Sequence, residues 1–115
     1  MTPTDHGDPG DAPTLALPLT PVPDVPRRSP AEEARTLTRM TNAGTLASLT
    51  ADGDPWASFI TYGALEDGSP VLCVSRLAEH GRNLHADPRA SIAIVQPEAP
   101  ADPLASARVT LAGVA

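Results

Sequence analysis

Apolar and polar positions change period several times along this chain, and the changes divide it into elements. Behind Ser29-Pro30-Ala31-Glu32, the apolar residues Ala34, Leu37 and Met40 recur at a spacing of three. A capping serine, a proline at the first helical position and a glutamate at the third form a capping box, so a helix is predicted over residues 30–42, ended by Gly44. Residues 45–50 are β-branched and apolar and run into Asp52-Gly53, a strong turn signal, which predicts a first strand and a hairpin. Beyond it, residues 56–65 alternate with period two. Trp56, Ser58, Ile60 and Tyr62 share one face, and Ala57, Phe59, Thr61 and Leu65 the other. Residues 66–70 read as a turn and 71–74 as a third strand. Residues 77–86 return to a helical period that stops before Pro88. A fourth strand over 90–95, a loop over 97–103 and a fifth strand over 107–112 complete the order.

Consecutive strands joined by tight turns predict an antiparallel meander, and closing it into a barrel is the usual way to remove exposed edges. The expected class is therefore mainly β (α+β): an antiparallel barrel with an N-terminal helix and a short helix between strands 3 and 4. A last strand that reaches the end of the chain leaves the barrel incomplete, so further chain or a second subunit is expected to cover the open edge. Residues 1–28 differ from the rest. Eight of the 14 prolines fall in the first 30 residues, mixed with Asp, Thr and Leu without a period. Such a stretch supports neither helix nor ladder hydrogen bonds, and reads as a disordered or polyproline-like tail ahead of a domain over 29–115.

The formal charge is −6, and all eight basic residues are arginines scattered among 14 acidic ones. That distribution excludes a nucleic-acid footprint. The longest wholly apolar runs are the tetrapeptides 71–74 and 92–95, far below the roughly 20 residues of a bilayer span. Asp5, Asp8 and Asp11 stand where a signal peptide needs positive charge, which points to the cytoplasm. The single cysteine, Cys73, cannot form an internal disulfide and reads as a small buried hydrophobe; CxxC and metal-thiolate chemistry are excluded.

The segment 73–84 carries the most chemistry. A strand ends at Ser75-Arg76 and a helix starts there, so backbone N–H groups, a hydroxyl and a guanidinium converge where a helix dipole favours negative charge: a candidate phosphate cradle. The plainer reading makes Ser75 an N-cap and Arg76 a solvated charge, and on these residues alone it is the stronger of the two. Leu77, His80, Gly81 and Leu84 share a helix face, which turns His80 toward the core or a ligand. His85 lies about 140° around the helix from it, so the two histidines do not make a metal site. Gly81 inside a helix costs about 1 kcal/mol relative to alanine, which implies that something packs closely against it. Asn83 borders the same face. Ser58 and Thr61 place hydroxyls on opposite faces of the second strand, as ligand contacts or as ordinary strand residues. No nucleophile elbow or catalytic triad is present.

Residues 46–95 resemble the flavin-binding split barrel of the pyridoxamine 5′-phosphate oxidase-like superfamily. Within it they are most similar to the haem-utilisation branch, in which S-x-L-x-x-H-x-x-N-L-x-x-D-P-R-x-S recurs. Here the motif is Ser75, Leu77, His80, Asn83, Leu84, Asp87, Pro88, Arg89 and Ser91. The resemblance implies a homodimer with FMN in clefts between subunits. Ser58 and Thr61 would then lie along the flavin, Ser75 and Arg76 at its phosphate, and His80 and Asn83 after them on the helix. Pyridoxamine-phosphate oxidases proper carry an arginine near Ser58 and an Arg-Lys pair near Glu79 and His80, and the haem-utilisation branch commonly has threonine where Gly81 stands. The leading expectation is an FMN-dependent oxidoreductase acting on a small molecule. Haem, or the deazaflavin F420, ranks behind FMN as cofactor. Two alternatives are a haem-degrading parent protein and a cofactor-free dimerisation module. The dimer is expected to bury the face bearing Trp56, Ile60 and Tyr62.

Overall fold

The computed structural model describes residues 26–98 and 100–115. The predicted tail falls outside them except for residues 26–28, which belong to no helix or strand. Helix α1 spans Pro30–Met40, and its capping box is complete: the Glu32 amide donates to Ser29 Oγ at 3.2 Å, and the Ser29 amide donates to Glu32 Oε2 at 2.7 Å. It ends two residues before the predicted boundary. Thr41 is extended, and the Asn42 carbonyl accepts the Tyr62 amide at 2.8 Å, so the sheet claims these residues before the helix can.

The strands are β1 (Ala43–Leu49), β2 (Pro55–Ala64), β3 (Pro70–Leu72), β4 (Arg89–Val95) and β5 (Arg108–Val114), with helix α2 (Glu79–Ala86) between β3 and β4 and a single 3-10 turn over Pro103–Ala105. All pairings are antiparallel, in the order β3-β2-β1-β4-β5. The class expected from the sequence is present, an α+β fold built on a curled half-barrel. The continuous meander is not. β3 is three residues long and its last pair is Leu72 with Tyr62, after which the chain leaves the sheet. Through α2 it crosses to the other side of β1, whose free edge β4 takes from Thr45 to Ala47. β1 is thereby the central strand.

Buried and exposed residues alternate throughout β1, in the central part of β2 and in the second half of β4. The inner face carries Leu46 and Ile94, both fully buried, with Ile60, Tyr62, Ile92 and Leu37 of α1 around them. Tyr62 reaches across to α1, where its hydroxyl donates to the Thr38 carbonyl at 2.8 Å, and burial pushes its pKa up. Ile60 and Tyr62 thus belong to this chain's own core. That corrects the expectation of burial by a second subunit for these two residues; Trp56, on the same face, is 45% exposed. The face left open is the opposite one, on which Phe59 is 77% exposed. The half-barrel stays open between β3 and β5, where Pro70 and Leu72 face Leu111 and Gly113 across an apolar slot of about 280 Å³. Among the described residues no helix is long and apolar enough to cross a membrane.

The Asp-Pro-Arg turn into β4 is held by charge. Arg89 grips the Asp87 carboxylate through Nε (3.0 Å) and Nη2 (2.7 Å), and its amide donates to Asp87 Oδ1 at 3.1 Å. These contacts hold the Asp87 carboxyl down at about 2, below its ordinary value of 3.8. Glu32, bonded to Ser29, and Asp67, bonded to the Ser69 amide, are lowered as well. Groups with depressed folded pKa values contribute stability above their unfolded values and lose it as pH falls through the folded ones. Thermal melts are therefore expected to weaken below about pH 4, with the Asp87 part persisting to about 2. In Arg89→Leu the NMR-titrated Asp87 pKa should return toward 3.8.

Candidate functional site

The site forms where β3 stops. Before Tyr62 the outer edge of β2 has no strand beside it, and the chain at Cys73-Val74 diverges toward α2. The gap is a recess of about 280 Å³ lined by Phe59, Ile60, Thr61, Leu72, Cys73, Val74 and His80. Of the six residues singled out from the sequence, Thr61 and His80 meet here. His80 is half-buried, as its place on the inner side of α2 requires. Cys73 is exposed rather than buried, because β3 ends one residue before it and no neighbouring strand covers it. Phe59, Cys73 and Val74 were not singled out as site residues in the sequence. The signal that could have found Phe59 is its own pattern position, a large aromatic on the solvent face of an alternating strand.

The other four residues lie elsewhere. Ser58 points to the inner face and its Oγ accepts from the Trp56 indole at 3.1 Å. Asn83 is fully buried (1% exposed) and its amide pairs with Ser48 Oγ at 3.2 Å, tying α2 to the central strand. With its amide turned over, which the surrounding groups favour, Asn83 also donates to the Glu79 carbonyl and to Glu79 Oε1 at 3.0 Å. Ser48 could have been flagged from the sequence: it follows Gly44 and Leu46 on the inward face of β1, where a polar side chain needs a partner.

Ser75 is not an N-cap. The helix begins four residues later, and its N-cap position is Ala78, which makes no side-chain cap. Ser75 Oγ instead accepts from the Leu77 amide at 3.1 Å, and the Ser75 carbonyl accepts from the Ala78 amide at 3.1 Å. Leu77, expected on the inner helix face, precedes the helix and is 90% exposed. Arg76 reaches along α2 to within 3.4 Å of His85 Nδ1. Gly81 explains its own identity. A Cβ there would meet the Ser75 carbonyl oxygen at 2.0 Å and its carbon at 2.7 Å, so the turn lies directly on the helix backbone. Arg82 closes the arrangement, donating to the Leu77 carbonyl at 2.8 Å and pairing with Glu79.

Chemically, the recess offers one imidazole, one thiol and one hydroxyl among apolar walls. Among the described residues no group of three or more His, Cys, Asp or Glu side chains is placed to hold a bare metal ion. A large planar group with an apolar face and one coordinating or polar point suits this donor set. Cofactor pockets run to roughly 300–1,000 Å³, so about 280 Å³ takes only part of such a group.

Comparison with known proteins agrees with the fold and bears on the ligand. The structure of a heme binding protein from Mycobacterium smegmatis is 73% identical in sequence, with a TM-score of 0.74, covering 78% of this chain and 37% of that one. HutZ, the heme storage protein from Vibrio cholerae, is 25% identical with a TM-score of 0.61, over 71% of this chain and 58% of that one. The chloroplastic heme oxygenase HOZ of Arabidopsis thaliana is 38% identical over 72 residues, which is 61% of this chain and 22% of that protein. The chain thus spans less than a quarter of the length of the curated relatives it matches. These relatives are described by haem, whereas the expectation from the sequence put FMN first. The family profile for pyridoxamine 5′-phosphate oxidase matches residues 30–115, the whole of α1 through β5, and the chain belongs to that family.

Proposed function

We propose that this chain binds haem, with an edge of the porphyrin entering the recess between β2 and α2 and the His80 imidazole directed to the iron. The observation that carries the reading is the 73% identity, across the described fold, to a protein whose structure identifies it as haem-binding. The recess supports it chemically. Phe59, Ile60, Leu72 and Val74 supply apolar contact for a porphyrin face, and His80 is a half-buried nitrogen donor beside them. Bound haem supplies the iron-centred ligand and redox chemistry; the protein's part is to orient the macrocycle and shield it from water.

A second copy of the chain completes the pocket in this reading. The recess is too small for the whole cofactor, and the open outer face beside it, with Phe59 at 77% and Val71 at 46% exposed, is apolar enough to be covered. Family membership keeps FMN as the second reading. A ligand that binds only the folded state stabilises it by about 2.7 kcal/mol at a hundredfold excess over Kd. Differential scanning fluorimetry is therefore expected to show a melting temperature raised by haemin and unchanged by FMN. A rise with FMN and none with haemin would reverse the assignment.

A further inference from the structure

We infer that the turn before α2 is filled by the protein itself and excludes a phosphate group, so that the site selects against phosphorylated flavins. This rests on the reading of the recess as a cofactor site, and it names the property by which one cofactor class is refused. Three observations carry it. Two of the turn's own donors are spent: the Leu77 amide goes to Ser75 Oγ and the Ala78 amide to the Ser75 carbonyl, both at 3.1 Å. The space is spent as well, because the Ser75 carbonyl rests against the bare Cα of Gly81, at 2.0 Å from where a Cβ would stand. That puts the negative end of a peptide dipole at the first turn of the helix.

Charge completes the case. Glu79 holds the first position of α2, so a carboxylate already answers the positive end of the helix dipole. Arg82 is committed to Glu79 and to the Leu77 carbonyl. Arg76, which the sequence places at the cradle, lies beside His85 instead. His85 is six residues past the start of the helix, about 9 Å along its axis. A phosphate arriving at this turn would meet the Ser75 carbonyl and the Glu79 carboxylate, with Arg82 already paired and Arg76 turned toward His85. Gly81 and Glu79 are therefore the specificity-determining residues: the first lets the turn collapse, and the second sets its sign. The recess beyond remains open to a ligand held by apolar and imidazole contacts.

The test uses the ¹⁵N-labelled full chain titrated separately with FMN, riboflavin and inorganic phosphate, following the amides of residues 77–81. In the wild type, no saturable shift at these amides is expected from FMN or phosphate beyond what riboflavin causes. Glu79→Arg, which exchanges the carboxylate for a cation, should gain a preference for FMN over riboflavin of about tenfold or more. Saturable wild-type shifts with FMN and phosphate, absent with riboflavin, would overturn the inference. A Glu79→Arg variant as silent as the wild type would overturn the role given to Glu79. Neither result depends on haem, so failure of the haem reading and failure of this one remain separate.

Discussion

Replacing Gly81 by alanine is expected to destabilise the fold by about 2 kcal/mol, although alanine is the better helix former by about 1 kcal/mol. The added methyl would stand 2.0 Å from the Ser75 carbonyl oxygen, and contacts under 3.0 Å are essentially never seen for a real Cβ. Backbone, not a flexible side-chain end, must retreat by about 1 Å. Overpacking of this kind costs about 1–3 kcal/mol. The retreat also strains the Ala78–Ser75 turn bond and the Arg82 contacts to the Arg76 and Leu77 carbonyls. Urea denaturation of the two proteins measures the difference. An alanine variant as stable as the wild type would mean that the Ser75 turn does not rest on the helix.

The second large effect is at the centre of the sheet. Leu46 is fully buried on β1, the strand that pairs with both β2 and β4, and it packs among Ile60, Ile92 and Ile94. Leu46→Ala is expected to cost about 2–5 kcal/mol, transfer and cavity terms together. A small domain has only about 5–15 kcal/mol to lose, so the melting temperature should fall by about 10 °C or more. Thr45 is the internal control. It neighbours Leu46 on the same strand but faces outward and is exposed, so Thr45→Ala should change stability by no more than about 0.5 kcal/mol. Equal losses at the two positions would contradict the assignment of inner and outer faces.

How far the sequence reached depended on how local the determining physics was. The capping box at Ser29 and Glu32, the Asp52-Gly53 turn with Gly53 at φ 85°, and the alternation of β2 are all set by neighbours in sequence, and all were legible. Strand order was not, because it depends on where β3 stops. Nothing in the apolar run 71–74 says that pairing ends at Leu72, yet that ending exposes Cys73, opens the recess and sends α2 across to β1's other edge. Gly81 was legible in part: its cost in a helix signalled a close approach, but only the fold shows that Ser75 makes it. The motif residues divide in the same way. His80 lines the recess, whereas Asn83 and Arg89 hold the scaffold, through Ser48 and Asp87 respectively.

Haem binding through His80 is the central claim, and an equilibrium haemin titration followed by absorbance tests it most directly. The wild-type chain is expected to give a saturable, shifted Soret band. His80→Ala, with its fold verified by circular dichroism, should bind at least about tenfold more weakly and lose the band position characteristic of imidazole ligation. A wild-type chain that shows no saturable Soret change, or an alanine variant with the same affinity and the same spectrum, would contradict the account.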